Sequence, residues 1–160
     1  MDTAISRAEL DRRVAILKRF KELLNGQRER LRSYLSLLES QKDVIDSGSG
    51  EQILANVELE EQIVADIFSM QRVINPMEEM YRTIAPHNPA DDEIPALKIS
   101  LEDMKRQVQA KSAKNRELLS LRMAGIRTEM NVLKENPFFK NAQRSAYGNA
   151  VTASLIDVQG

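Results

Sequence analysis

SRAELDRRVAILKRFKELLNGQRERLRSYLSLLESQKDVI, residues Ser6–Ile45, decides the fold. Leu10, Leu17, Leu24, Leu31, Leu38 and Ile45 recur in it at an unbroken spacing of seven, which puts them on one seam of a long helix. Ser6-Arg7-Ala8-Glu9 opens the run as a capping box, in which the serine hydroxyl takes an orphan N–H of the first turn. Four residues after each seam position the chain is mixed. Val14 and Leu35 are apolar there, whereas Lys21, Arg28 and Lys42 are not. Ile16, Leu23, Leu37 and Val44 widen the stripe on its other flank. A stripe of that width suits a helix with more than one neighbour, not a two-stranded zipper.

Downstream, Ser47-Gly48-Ser49-Gly50 stops the helix and Ser49-x-x-Gln52 caps a second one. A break that short makes the two helices antiparallel neighbours. The second helix carries Ile53, Val57, Val64, Ile67 and Ile74 on one face and continues through Met77, Met80, Tyr81 and Ile84. Pro76 falls inside it, and a kink is expected near Gln71–Arg72, where the ring meets the preceding turn. Pro86-His87-Asn88-Pro89-Ala90-Asp91-Asp92-Glu93-Ile94-Pro95 reads as a loop. A third stripe follows as Leu97, Leu101, Met104 and Val108, is interrupted by Lys111 and Asn115, and resumes as Leu118, Leu119, Met123, Ile126, Met130 and Leu133. Asn136-Pro137 ends it.

Composition agrees. Of 160 residues, 42% are apolar and 29% charged, with four Phe, three Tyr and no Trp, which is poor material for a sheet. The expected fold is all-α: an elongated three-helix bundle, or a long antiparallel hairpin with a third helix laid along it. The helices fall at about 6–46, 50–85 and 95–135, within a bundle over residues 1–136. At 1.5 Å per residue each would be roughly 50–60 Å long. The absence of cysteine excludes disulfides and thiolate chemistry. No apolar run reaches membrane-spanning length and the first residues lack a signal-peptide core, so a cytoplasmic protein without stable membrane insertion is expected. A net charge of −1 argues against nucleic acid as a partner. The charge is uneven, with 10 basic against 8 acidic residues over 1–46, 2 against 10 over 51–94, and 11 against 6 over 95–160. An acidic middle helix between two basic ones is thereby expected to face opposite charge.

The last stretch, residues 137–160, differs from the rest. Fixing each backbone costs ~1–2 kcal/mol. Phe138, Phe139, Tyr147, Val151, Leu155, Ile156 and Val158 would return only ~1.5–3 kcal/mol each on full burial. Gross burial falls short of gross cost, so this tail is expected to need a partner surface.

Catalytic chemistry is sparse. His87 is the sole histidine and sits in the proline-rich loop, where a solvated role is expected. Glu58/Glu61 and Glu78/Glu79 lack the E-x-x-H companion of a di-iron bundle. No phosphate-binding glycine loop or nucleophile elbow occurs. Neither an enzyme nor a bound cofactor or metal is expected. Met70, Met77, Met80, Met104, Met123 and Met130 all lie in the later half of the second helix or in the third. Taken singly such side chains read as core filler, whereas their clustering points toward an adaptable binding face.

LNGQRERLRSYLSLLESQKDVI (Leu24–Ile45), EQILANVELEEQIVADI (Glu51–Ile67), KNRELLSLRMAGIRTEM (Lys114–Met130) and the tail NPFFKNAQRSAYGNAVTASLIDVQG (Asn136–Gly160) together resemble the flagellar export chaperone FlgN family. The resemblance implies a small cytoplasmic helical chaperone of flagellar type III secretion. Its partners would be secreted hook–filament junction proteins and components of the export gate. Because the family binds its clients through the C-terminal segment, the resemblance assigns partner binding to the tail holding Phe138, Phe139, Tyr147, Val151, Leu155 and Ile156. The competing expectation is a structural coiled-coil scaffold or adaptor, in which the leucine seam makes a permanent homodimer.

Overall fold

A computed structural model describes residues 5–84 and 93–135. The protein is all-α, a three-helix bundle of α1 (Arg7–Ser47), α2 (Gly50–Ile84) and α3 (Glu93–Glu135). Both capping boxes form. Glu9 N donates to Ser6 Oγ at 3.2 Å, and at the start of α2 the exchange is reciprocal: Gln52 N to Ser49 Oγ at 3.2 Å and Ser49 N to Gln52 Oε1 at 2.9 Å. Gly48 is required at the break because a Cβ there would run into the Val44 carbonyl oxygen. α2 continues through Pro76 as one helix. α3 begins earlier than the loop reading has it. Glu93 and Ile94 belong to its first turn, Pro95 sits where an N–H has no helical acceptor, and Ile94 is fully buried.

The chain divides into two compact units. Among the described residues, unit 1 comprises 5–34, 62–84 and 93–108, and unit 2 comprises 35–61 and 109–135. In unit 1, Leu17, Phe20, Leu24 and Leu31 of α1 are buried with Ile74 and Ile84 of α2 and Leu101, Met104 and Val108 of α3. Phe20 stacks on Tyr81 with ring centroids 5.1 Å apart, an arrangement that adds to the area buried. Lys21 pairs with Glu93 at 2.9 Å and Lys98 with Glu78 at 2.8 Å, so the acidic second helix does meet a basic side chain of α3. The Lys98 ammonium bonded to Glu78 holds that carboxyl below its ordinary value, against a smaller opposing effect of burial. In unit 2, Ile45 of α1, Ile53 and Val57 of α2 and Leu119 and Met123 of α3 form one apolar cluster, flanked by Val44 and Leu118.

Burial revises the seam in two ways. Leu10, its first member, is 53% exposed and lies outside the core, as does Val14. The buried companions stand three residues after the seam, at Phe20, Gln27, Tyr34 and Gln41, instead of four. A seam whose partners follow at +3 is the a/d pattern of knobs-into-holes packing. Its polar members, Gln27 and Gln41, conceal it in the sequence.

Candidate functional site

Unit 2 combines three features along α3: a polar layer, the apolar cluster, and a helix end that outruns its neighbours. The polar layer begins at Asn115, which is 6% exposed. Its Nδ2 donates to the Leu38 carbonyl at 2.8 Å and to Gln41 Oε1 at 3.0 Å. Gln41 Nε2 in turn donates to Glu60 Oε2 at 2.7 Å, so a single chain of hydrogen bonds ties α3 to α1 and α1 to α2. Ser112 is buried beside Asn115. The Lys111–Asn115 interruption of the third stripe is therefore not a gap in the packing. A Lys111–Glu39 pair at 2.6 Å lies at its edge. A cavity of about 50 Å³ adjoins the layer, lined by Asn56, Glu60, Ser112 and Asn115 among others. Asn56 Oδ1 is buried there without a hydrogen-bond partner among the described residues.

The register fixed by these contacts sets where α3 stands against the hairpin. Asn115 is level with Leu38 and Gln41, and Leu119 and Met123 close the cluster with Ile45 and Ile53. α1 then ends at Ser47 and α2 starts at Gly50, but α3 runs on to Glu135. Residues 124–135 project roughly 18 Å beyond Met123 at 1.5 Å per residue. Ile126, Met130 and Leu133 extend the Leu119–Met123 seam along this projection at the same alternating spacing of three and four. Ile126 and Met130 are half-buried, Leu133 is 48% exposed, and Val132 is exposed. Leu133 is thus no core residue. A helix face of this kind has no reaction chemistry; it can cover, or be covered by, another apolar stripe.

The residues assigned to partner binding, Phe138, Phe139, Tyr147, Val151, Leu155 and Ile156, lie outside the described residues, as does His87. α3 brings Ile126, Met130 and Leu133 to the end of the chain segment that precedes them. In the sequence Ile126 and Leu133 are indistinguishable from the rest of the stripe, and Met130 stands out only as one of the clustered methionines. The signal that would have singled them out is the register between helices, which no single stripe contains. Among the described residues no three His, Asp or Glu side chains gather as a metal set, and no helix is long and apolar enough to cross a membrane.

Over 132 residues, 82% of this chain and 84% of the relative, the sequence is 36% identical to an uncharacterized protein of Treponema pallidum (strain Nichols). The chain belongs to that protein's family. A match of this length in a chain of 160 residues takes in parts of all three helices, so the likeness extends over the bundle. No protein-family model matches the chain. No solved structure matches it.

Proposed function

We propose that the protein is an export chaperone of the flagellar type III secretion apparatus. It binds a hook–filament junction protein in the cytoplasm, covers the terminal amphipathic helix of that client and delivers it to the export gate. The observation that carries this reading is the projecting end of α3, whose apolar seam continues past the hairpin and leads into the tail. A client helix laid on Ile126, Met130 and Leu133 would take the place that α1 and α2 hold along the rest of α3, as in helix-in-groove recognition. Phe138, Phe139, Tyr147, Val151, Leu155 and Ile156 would then add anchors next to it. No nucleotide or metal enters the mechanism, because release follows from competition at the gate.

The scaffold reading needs the leucine seam free for a second copy. Leu17, Leu24, Leu31, Leu38 and Ile45 are instead buried within the single chain, which supports the chaperone. The test is calorimetric binding of the full chain to junction-protein terminal segments, alongside thermal melting. Met130→Glu with Leu133→Glu, and separately Tyr147→Ala with Val151→Ala and Leu155→Ala, should weaken binding about tenfold to thousandfold and leave melting nearly unchanged. No binding by the unaltered protein, together with a stable homodimer in light scattering, would give the scaffold reading the field.

A further inference from the structure

The methionines separate in the structure. Met104 and Met123 are core, but Met70 and Met77 are half-buried and Met80 is 44% exposed. These last three lie on one flank of α2 in unit 1. Glu78 marks the opposite flank, which turns to Lys98 of α3. Met70 instead approaches α1: a Cβ on Gly26 would sit 3.9 Å from its Cε. Val73, 47% exposed, stands three residues after Met70, as Met80 stands three after Met77, so the pairs repeat at heptad spacing along this outer face. Ile16 of α1 is half-buried on the same side, one heptad before Leu23. The result is an apolar, methionine-rich face on the α1–α2 pair, on the side away from α3.

Its α1 edge is basic. Arg12, Arg19 and Gly26 follow one another at seven-residue spacing, and Arg30 folds back over Gly26, its Nη1 donating to the Gly26 carbonyl at 3.0 Å. Among the described residues, Arg12 and Arg19 pair with partly or fully exposed neighbours on their own helix, Glu9 at 3.8 Å and Glu22 at 3.6 Å. Such pairs contribute little and yield readily to a better-placed acid. We infer that this face binds an amphipathic helix whose apolar stripe is edged by Asp or Glu along the Arg12–Arg19–Arg30 line. Thioether side chains adapt to a partner of imperfect shape, and the three arginines set its direction of charge. From Arg12 to Arg30 the edge spans about 27 Å, matching a partner helix of about 18 residues. This site is separate from the end of α3 and stands whether or not the chaperone reading does.

The experiment uses the full chain labelled with ¹³C at the methionine methyls. Two synthetic helical peptides of about 20 residues share one leucine stripe and differ only in flanking Glu or Lys, a length set by the rise per residue. With the Glu-edged peptide, the Met70, Met77 and Met80 methyl signals should shift while Met104 and Met123 stay still. Its affinity should exceed that of the Lys-edged peptide by about tenfold or more, and Arg12→Glu with Arg19→Glu should invert the order. Val73→Glu with Met80→Glu should abolish the shifts without lowering the melting temperature, since both positions are exposed. Equal affinity for the two peptides, shifts centred on Met123 and Met130, or unchanged binding by the Val73/Met80 variant would overturn the assignment. So would a concentration-dependent dimer that Met80→Glu dissolves, which would give the face to a second copy.

Discussion

Phe20 and Gln41 occupy the same heptad position of α1, three repeats apart, and they serve different kinds of interior. In unit 1, Phe20 is fully buried and stacks on Tyr81, so the stability of the packing rests on area and shape. In unit 2, Gln41 is buried as the middle of a relay from Asn115 to Glu60, beside a small cavity. Apolar burial is non-directional and tolerates small shifts of one helix along another. A relay of amides is satisfied in one register only, and each unmade bond costs the desolvation of the group left behind. Unit 2 therefore specifies more than it stabilises, and the register it specifies is what carries α3 past the hairpin. Gln27 is an intermediate case in unit 1. Although 1% exposed, it donates to the Ile67 carbonyl at 3.0 Å, and its Oε1 has no partner among the described residues.

The sharpest test of this contrast is Phe20→Ala, which should cost ~3–5 kcal/mol by emptying a fully enclosed site. Chemical denaturation measures it, and a loss below about 1 kcal/mol would mean that unit 1 collapses around the gap instead of resisting it. Next comes Asn115→Ala, expected to cost ~1–3 kcal/mol because Gln41 loses its donor. The informative companion is Asn115→Leu with Gln41→Leu. Removing both should cost less than Asn115→Ala alone, since the half-buried Glu60 carboxylate loses one donor but no buried amide is left facing an apolar side chain. If the double variant is as damaged as Asn115→Ala, the layer contributes stability and not register.

The smallest expected effect is one of pH. The native Glu78 carboxyl is held below its ordinary value by Lys98, so the unfolded chain takes up the proton first as pH falls. The contribution is complete above the unfolded value near 4.5 and fades as pH drops from there through the lower native value. Glu78→Gln should flatten that part of the stability–pH curve by about 1 kcal/mol or less, since the pair is partly solvated. An unaltered acid limb in the variant would remove Glu78 from the account.

Three helices, the caps of the first two and the break between them could be read directly, because each depends on residues within a few positions of one another. Ser6 and Glu9, Ser49 and Gln52, and Gly48 act locally, and the seven-residue spacing from Leu17 to Ile45 needs no partner to be recognised. A stripe states that a face is apolar but not what lies opposite. Gln27, Gln41 and Asn115 look like interruptions until another helix supplies an acceptor or donor at hydrogen-bond distance. Leu10 and Leu133 look like core until neither proves to be enclosed. The methionines divide into core and surface only when α1 and α3 take opposite flanks of α2. Local sequence determined the elements because capping and periodicity are short-range. Tertiary structure decided which polar groups are buried and which apolar face is left over, because both depend on the register between helices distant in the chain.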